Sequence, residues 1–92
     1  MGRQRAHVLI EGRVQGVAFR METRRAAEKR NIEGWVKNLP DGRVEAVFEG
    51  EESDVQSMLQ WCQSGPSLAR VARVNLEKET PTGEFEGFHI AY

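Results

Sequence analysis

An α+β sandwich, with two helices laid on one face of a mostly antiparallel sheet, is the fold class this chain predicts. Three observations predict it. Residues 19–30 and the stretch from Ser53 to Cys62 carry apolar side chains at helical spacing, while other segments alternate at a period of two. The order along the chain is strand, helix, strand, strand, helix, strand, with a short extra strand at the C-terminus. Each helix has a single apolar stripe and so needs a sheet to cover, and the ferredoxin-like βαββαβ arrangement of split βαβ units supplies one sheet for both.

Residues 6–12 alternate, with Ala6, Val8 and Ile10 on one face and His7, Leu9 and Glu11 on the other. Leu9 also needs cover, so this strand is expected to be central. His7 is read as a strand residue, either covered by a helix or facing solvent. From Phe19 to about Arg30, Phe19, Thr23, Ala26 and Ala27 fall at i, i+4, i+7 and i+8. The small residues among them let the helix sit close to a sheet. Arg24, Arg25, Lys29 and Arg30 fill the outer face, but Glu22 and Glu28 interrupt the basic stripe, which is read as a solvated surface. Asn31 is the expected C-cap.

Residues 33–39 form a second strand and residues 43–49 a third, with Val44, Ala46 and Phe48 on one face. Pro40-Asp41-Gly42 between them is a tight-turn sequence, so the two strands make a hairpin. Gly50 is expected to break the chain. Ser53 and Gln56 match a capping box with Asp54 in the first turn, and Val55, Met58, Leu59 and Cys62 form the clearest amphipathic stripe. Cys62 is read as a small buried hydrophobe and Trp61 as half exposed. Ser64-Gly65-Pro66-Ser67 ends the helix. Residues 70–78 alternate with Ala72, Val74 and Leu76 inward, and Phe88, Ile90 and Tyr92 give a short edge strand.

Ninety-two residues with no internal linker or repeat are expected to form one domain, 1–92. A hydrophobic fraction of 39% and a charged fraction of 29% are those of a soluble globular chain, and a net charge of −1 gives no overall field toward nucleic acid or membrane. No apolar run approaches the roughly 18 residues of a membrane span, and the N-terminus lacks a signal-peptide pattern. The single cysteine excludes an internal disulfide and any multi-cysteine metal site. A cytoplasmic location and a monomer are the expectations.

The chemistry is expected to lie in Gly12-Arg13-Val14-Gln15-Gly16-Val17-Ala18-Phe19-Arg20, between the first strand and the first helix. A helix start leaves N–H groups unpaired and favours an anion, and glycine lets the backbone turn and approach a ligand. Arg20 adds a fixed charge and a planar fork of donors. The segment lacks the Gly-Lys-Ser/Thr of a P-loop and the spacing of a dinucleotide fingerprint. On the residues alone, an anion cradle and an ordinary strand-to-helix connection both remain open. Asn38, late in the second strand, reaches the same loop only if strand order and register agree. It would then orient a water for phosphoryl transfer; otherwise it is a strand-end residue that helps start the turn.

The loop segment resembles the signature of the acylphosphatase family. Gly34-Trp35-Val36-Lys37-Asn38, then Asp41-Gly42-Arg43-Val44-Glu45, resembles that family's second block at its usual distance. Gly65-Pro66, Ala69-Arg70-Val71 and the ending Phe88-His89-Ile90-Ala91-Tyr92 are similar to bacterial members. The resemblance implies a small hydrolase without metal or cofactor that splits acyl phosphates into a carboxylate and inorganic phosphate. It implies that Arg20 and the backbone N–H groups of Gln15, Gly16, Val17, Ala18 and Phe19 bind the phosphoryl group, and that Asn38 positions the attacking water. The expected partners are a small-molecule acyl phosphate and inorganic phosphate or another anion in the cradle, with no nucleic acid and no membrane. The competing expectation is a regulatory module on the same fold that binds an anion or small ligand without turning it over. An RNA-binding sheet would need exposed aromatics on its central strands, which the first strand lacks. Whether the Tyr92 carboxylate reaches Arg20 is not legible in the sequence.

Overall fold

The computed structural model describes residues 2–92. Seven elements follow one another: β1 (Arg3–Arg13), α1 (Phe19–Lys29), β2 (Glu33–Asn38), β3 (Val44–Glu51), α2 (Glu52–Ser64), β4 (Arg70–Glu79) and β5 (Phe88–Ile90). They build one five-stranded sheet in the order β4-β1-β3-β2-β5. β1 is antiparallel to β3 and β4, β2 is antiparallel to β3, and β5 joins β2 in parallel. Hence β1 and β2 run parallel with β3 between them, and β3 and β4 run parallel with β1 between them. These are the two split βαβ units of the expected ferredoxin-like fold.

The helix-covered face holds the core. Ala6, Val8 and Ile10 of β1, Val44, Ala46 and Phe48 of β3, and Val36 of β2 are buried there. α1 packs over β2 and β5, and α2 over β1, β3 and β4. Thr23, Ala26 and Ala27 bury the small-residue face of α1, with Thr23 Oγ1 donating back to the Phe19 carbonyl at 2.7 Å. Val55, Met58, Leu59 and Cys62 bury the stripe of α2. Asn31 lies just past α1 with φ 55°, the left-handed conformation that ends a helix.

Four expectations are corrected. α2 begins two residues earlier than the expected capping box places it, with Glu51 rather than Ser53 as N-cap and no side-chain cap. Ser53 is therefore inside the first turn, and Gln56 Nε2 donates to Gln4 Oε1 on β1 at 2.8 Å instead of closing a capping box. Gly50 does not break the chain but lies within β3, against the side chain of Ile32. β1 extends over 3–13, because β3 pairs with it as far as Arg3. In β4 only part of the inward register holds. Gly12 pairs with Val71 and Glu11 with Arg73, so Ala72 bulges out and the phase flips. Val71 and Val74 reach the core, whereas Ala72 is exposed and Leu76, on an edge strand beyond the cover of α2, is 49% exposed.

The other face of the sheet has no helix. The 80–87 connection folds back across one end of it, where Gly83 N–H donates to the buried Glu49 carboxylate at 2.7 Å and Arg5 meets Glu84 at 2.8 Å. His7 points to this helix-free face, between Glu45 (2.6 Å) and Glu79 (3.1 Å), and stays partly open to solvent, as the second of its two expected placements has it.

Candidate active site

The 14–18 loop leaves β1 and enters α1 through two left-handed residues, Gly16 at φ 74° and Ala18 at φ 61°. Ala18 is the N-cap of α1 and offers no side-chain acceptor to the first turn. Among the described residues, no main-chain or side-chain group accepts from the N–H groups of residues 15–18. Alternating left- and right-handed backbone turns successive N–H groups toward a common point, and the helix dipole adds positive potential there. The open donors thus form an anion-binding concavity.

The loop is held from below. Val14 and Val17 bury their side chains in the core, and Phe19, the first residue of α1, packs edge-on against Trp61 at 5.8 Å. Room for that ring comes from Gly65 at the end of α2, where an added Cβ would come within 2.6 Å of Phe19 Cε2. The start of one helix is therefore seated on the end of the other.

A cleft of about 220 Å³ opens above the loop. Gln15, Gly16, Ala18, Phe19 and Arg20 line it from the loop side and Asn38 from β2. The topology brings them together, because β1 and β2 run parallel and end at the same edge of the sheet. Val17 is not a lining residue; its side chain turns into the core, so its backbone alone is available to a ligand. Arg20 has no carboxylate partner among the described residues; its guanidinium lies against the ring of Tyr92, 5.3 Å from the centroid. Among the described residues, no protein group donates to the Oδ1 of Asn38. The oxygen is therefore available to accept from a molecule in the cleft that Asn38 lines.

A model of the acylphosphatase family matches residues 6–90. The chain belongs to the acylphosphatase family. It is 59% identical over 92 residues to an acylphosphatase of Roseiflexus, covering 100% of this chain and 99% of that one. A Chloroflexus aurantiacus acylphosphatase is 56% identical over 88 residues, 96% of each chain. The crystal structure of an acylphosphatase from Bacillus subtilis superposes with a TM-score of 0.93 at 35% identity, covering 97% of this chain and 99% of that one.

Sequence reasoning left several parts of the cleft unread. Val14, Met21, Ile90 and Tyr92 also line it. The period-two spacing of Phe88, Ile90 and Tyr92 shows a strand but not its partner. Parallel pairing with β2, continued by Ala91 N–H to the Val36 carbonyl at 2.8 Å, carries the C-terminus to Arg20. The ring of Tyr92, not its carboxylate, meets the guanidinium. A second unread feature is the side chain of Gln15. It points away from the loop and donates through Nε2 to the carbonyls of Leu39 (2.8 Å) and Arg43 (3.0 Å). Cys62 is remote from the cleft, and burial pushes its thiol up to about 12, as fits an inert core residue.

Proposed function

We propose that this chain hydrolyses the carboxyl–phosphate bond of acyl phosphates, with Arg20 and the N–H groups of residues 15–19 holding the phosphoryl oxygens and Asn38 positioning the attacking water. The observation that carries this reading is the shared cleft. Among the described residues, loop N–H groups without a protein acceptor, an arginine without a carboxylate partner and an amide oxygen without a protein donor face one small space.

The chemistry follows from the donor set. The phosphoryl oxygens carry negative charge that the cradle and Arg20 neutralise, leaving phosphorus open to attack. Asn38 Oδ1 accepts one hydrogen of the water, which aims a water lone pair at phosphorus from the side opposite the acyl oxygen. A new P–O bond forms as the bond to the acyl oxygen breaks. The leaving group is a carboxylate, already stable as an anion, so it needs no general acid. The water proton passes to a phosphoryl oxygen, and the products are a carboxylate and a protonated inorganic phosphate. Positioning and electrostatics therefore suffice, without metal or cofactor. Residues 1–92 act in this reading as one monomeric, cytoplasmic domain, and no helix among the described residues is long and apolar enough to cross a membrane. A module that binds an anion without turning it over is not favoured, since the relatives matching along the full length are acylphosphatases.

Benzoyl phosphate hydrolysis in EDTA tests the reading. The expected result is chelator-resistant turnover, nearly abolished in Arg20→Ala. That substitution removes a charge-assisted contact worth about 1.5–3 kcal/mol, so the inhibition constant of inorganic phosphate should rise roughly ten- to hundredfold. Unchanged phosphate affinity in Arg20→Ala would remove the arginine from the site. Saturable phosphate binding without turnover would identify a binding module instead.

A further inference from the structure

The β2–β3 hairpin is closed by its own bonds. Leu39 N–H donates to the Arg43 carbonyl at 2.8 Å and Gly42 N–H to the Leu39 carbonyl at 3.1 Å. Asp41 receives Arg43 N–H at 3.1 Å and Arg43 Nε at 2.8 Å. Both carbonyls that the Gln15 amide meets are thus already satisfied once, and the turn does not need Gln15 to stand. What the amide adds is a link between two segments 24 and 28 residues apart. Among the described residues, these two bonds are the only hydrogen bonds joining the 14–18 loop to the hairpin. They use both protons of one NH₂ group, which fixes direction as well as distance. Leu39 directly follows Asn38, the last residue of β2. The cradle and the water-holding amide come from different segments of the chain, and the strap lies where they meet.

We propose that Gln15 is a positioning residue: its side-chain amide registers the phosphate-binding loop against the β2–β3 hairpin and so sets the distance between the bound phosphoryl group and the water held by Asn38. The inference rests on the water-positioning role of Asn38 proposed above. The loop N–H groups and Arg20 bind phosphate whether or not the strap is made, because they all belong to one segment. Only the relation between that segment and Asn38 depends on it. Loss of the strap therefore lowers turnover while leaving phosphate binding in place. In-line attack tolerates little error, since misplacement by about 1 Å can cost on the order of a hundredfold in rate.

Gln15→Met keeps the length of the side chain and removes both donors. Measured with benzoyl phosphate, it should lower kcat about ten- to hundredfold, with the competitive inhibition constant of inorganic phosphate within about twofold of the parent. The same substitution in an Asn38→Ala background should change kcat by less than about twofold, because the group it positions is gone. Gln15→Glu provides an independent readout. Ionised, its carboxylate faces two carbonyls; protonated, it can donate to one of them. Its kcat relative to the parent should climb as pH falls through the carboxyl range, which Gln15→Met should not do. Should Gln15→Met fail to fold, the Gln15→Glu pH profile decides by itself. A full kcat in Gln15→Met alongside a slow Asn38→Ala would overturn the positioning role alone. So would losses that add fully in the double variant, or a rise in the phosphate inhibition constant that matches the fall in kcat. A full kcat in Asn38→Ala would overturn this inference together with the water-positioning role beneath it.

Discussion

Asn38→Ala is expected to slow the enzyme while leaving the fold standing. Among the described residues, no protein group donates to Oδ1 of Asn38, so alanine breaks no protein hydrogen bond at that oxygen. Alanine keeps the Cβ and removes the whole amide. The vacated volume opens onto a cleft of about 220 Å³ lined by polar groups, so water fills it and no dry cavity forms. The packing lost is small because the residue is only half-buried. Stability should therefore change by less than about 1 kcal/mol, which for a domain of this size is a shift in Tm of no more than about 4–8 °C. Turnover is what falls. Removing a preorganised hydrogen-bonding group that acts on the transition state costs about 10²–10³ in kcat. The inhibition constant of phosphate should hardly change, since the cradle is intact. Thermal unfolding by circular dichroism and initial rates with benzoyl phosphate, taken on one preparation, check both expectations. A variant destabilised by much more than about 1 kcal/mol would show that the amide supports the fold. An unchanged kcat would refute the water-positioning role.

Two further expectations concern the scaffold. Gly65→Ala should destabilise by about 1–3 kcal/mol, since the new methyl meets Phe19 Cε2 at 2.6 Å and the residue sits at φ 65°; phosphate affinity should fall with it because Phe19 seats the cradle, and an unchanged inhibition constant beside a lower Tm would separate the two. At His7, burial opposes the charged ring, but the hydrogen bonds to Glu45 and Glu79 outweigh it and the pKa rises above the ordinary 6.5. A raised folded-state pKa gives stability that is complete below about pH 6.5 and is lost as pH rises through the folded value. Denaturant unfolding should show this decline in the parent and a flatter profile in His7→Gln, and parallel profiles would mean that the carboxylates do not hold the imidazolium.

Sequence alone determined which residues face the core in both helices and in β1 and β3. Phe19, Thr23, Ala26 and Ala27, and Val55, Met58, Leu59 and Cys62, follow directly from a period of 3.6 residues, and burying one stripe per helix left one sheet as the economical answer. The candidate cradle was legible too, because a glycine-bearing turn into a helix start is local geometry. Elsewhere, local signals pointed the wrong way. Ser53 and Gln56 have the spacing of a capping box, yet Gln56 found Gln4 on a strand 52 residues away in sequence. Ala72 and Leu76 alternate correctly, yet a bulge and an edge position, both properties of the neighbouring strand and helix, leave them exposed. Tertiary structure alone decided that Asn38 lines one cleft with Arg20, that Tyr92 returns to the guanidinium along β5, and that Gln15 turns its amide to the hairpin. Each of these depends on strand order and register, which long-range pairing sets and no short window of residues contains. The chain's chemistry-bearing residues were visible one by one, and their meeting in one cleft is a consequence of β1 and β2 running parallel with β3 between them.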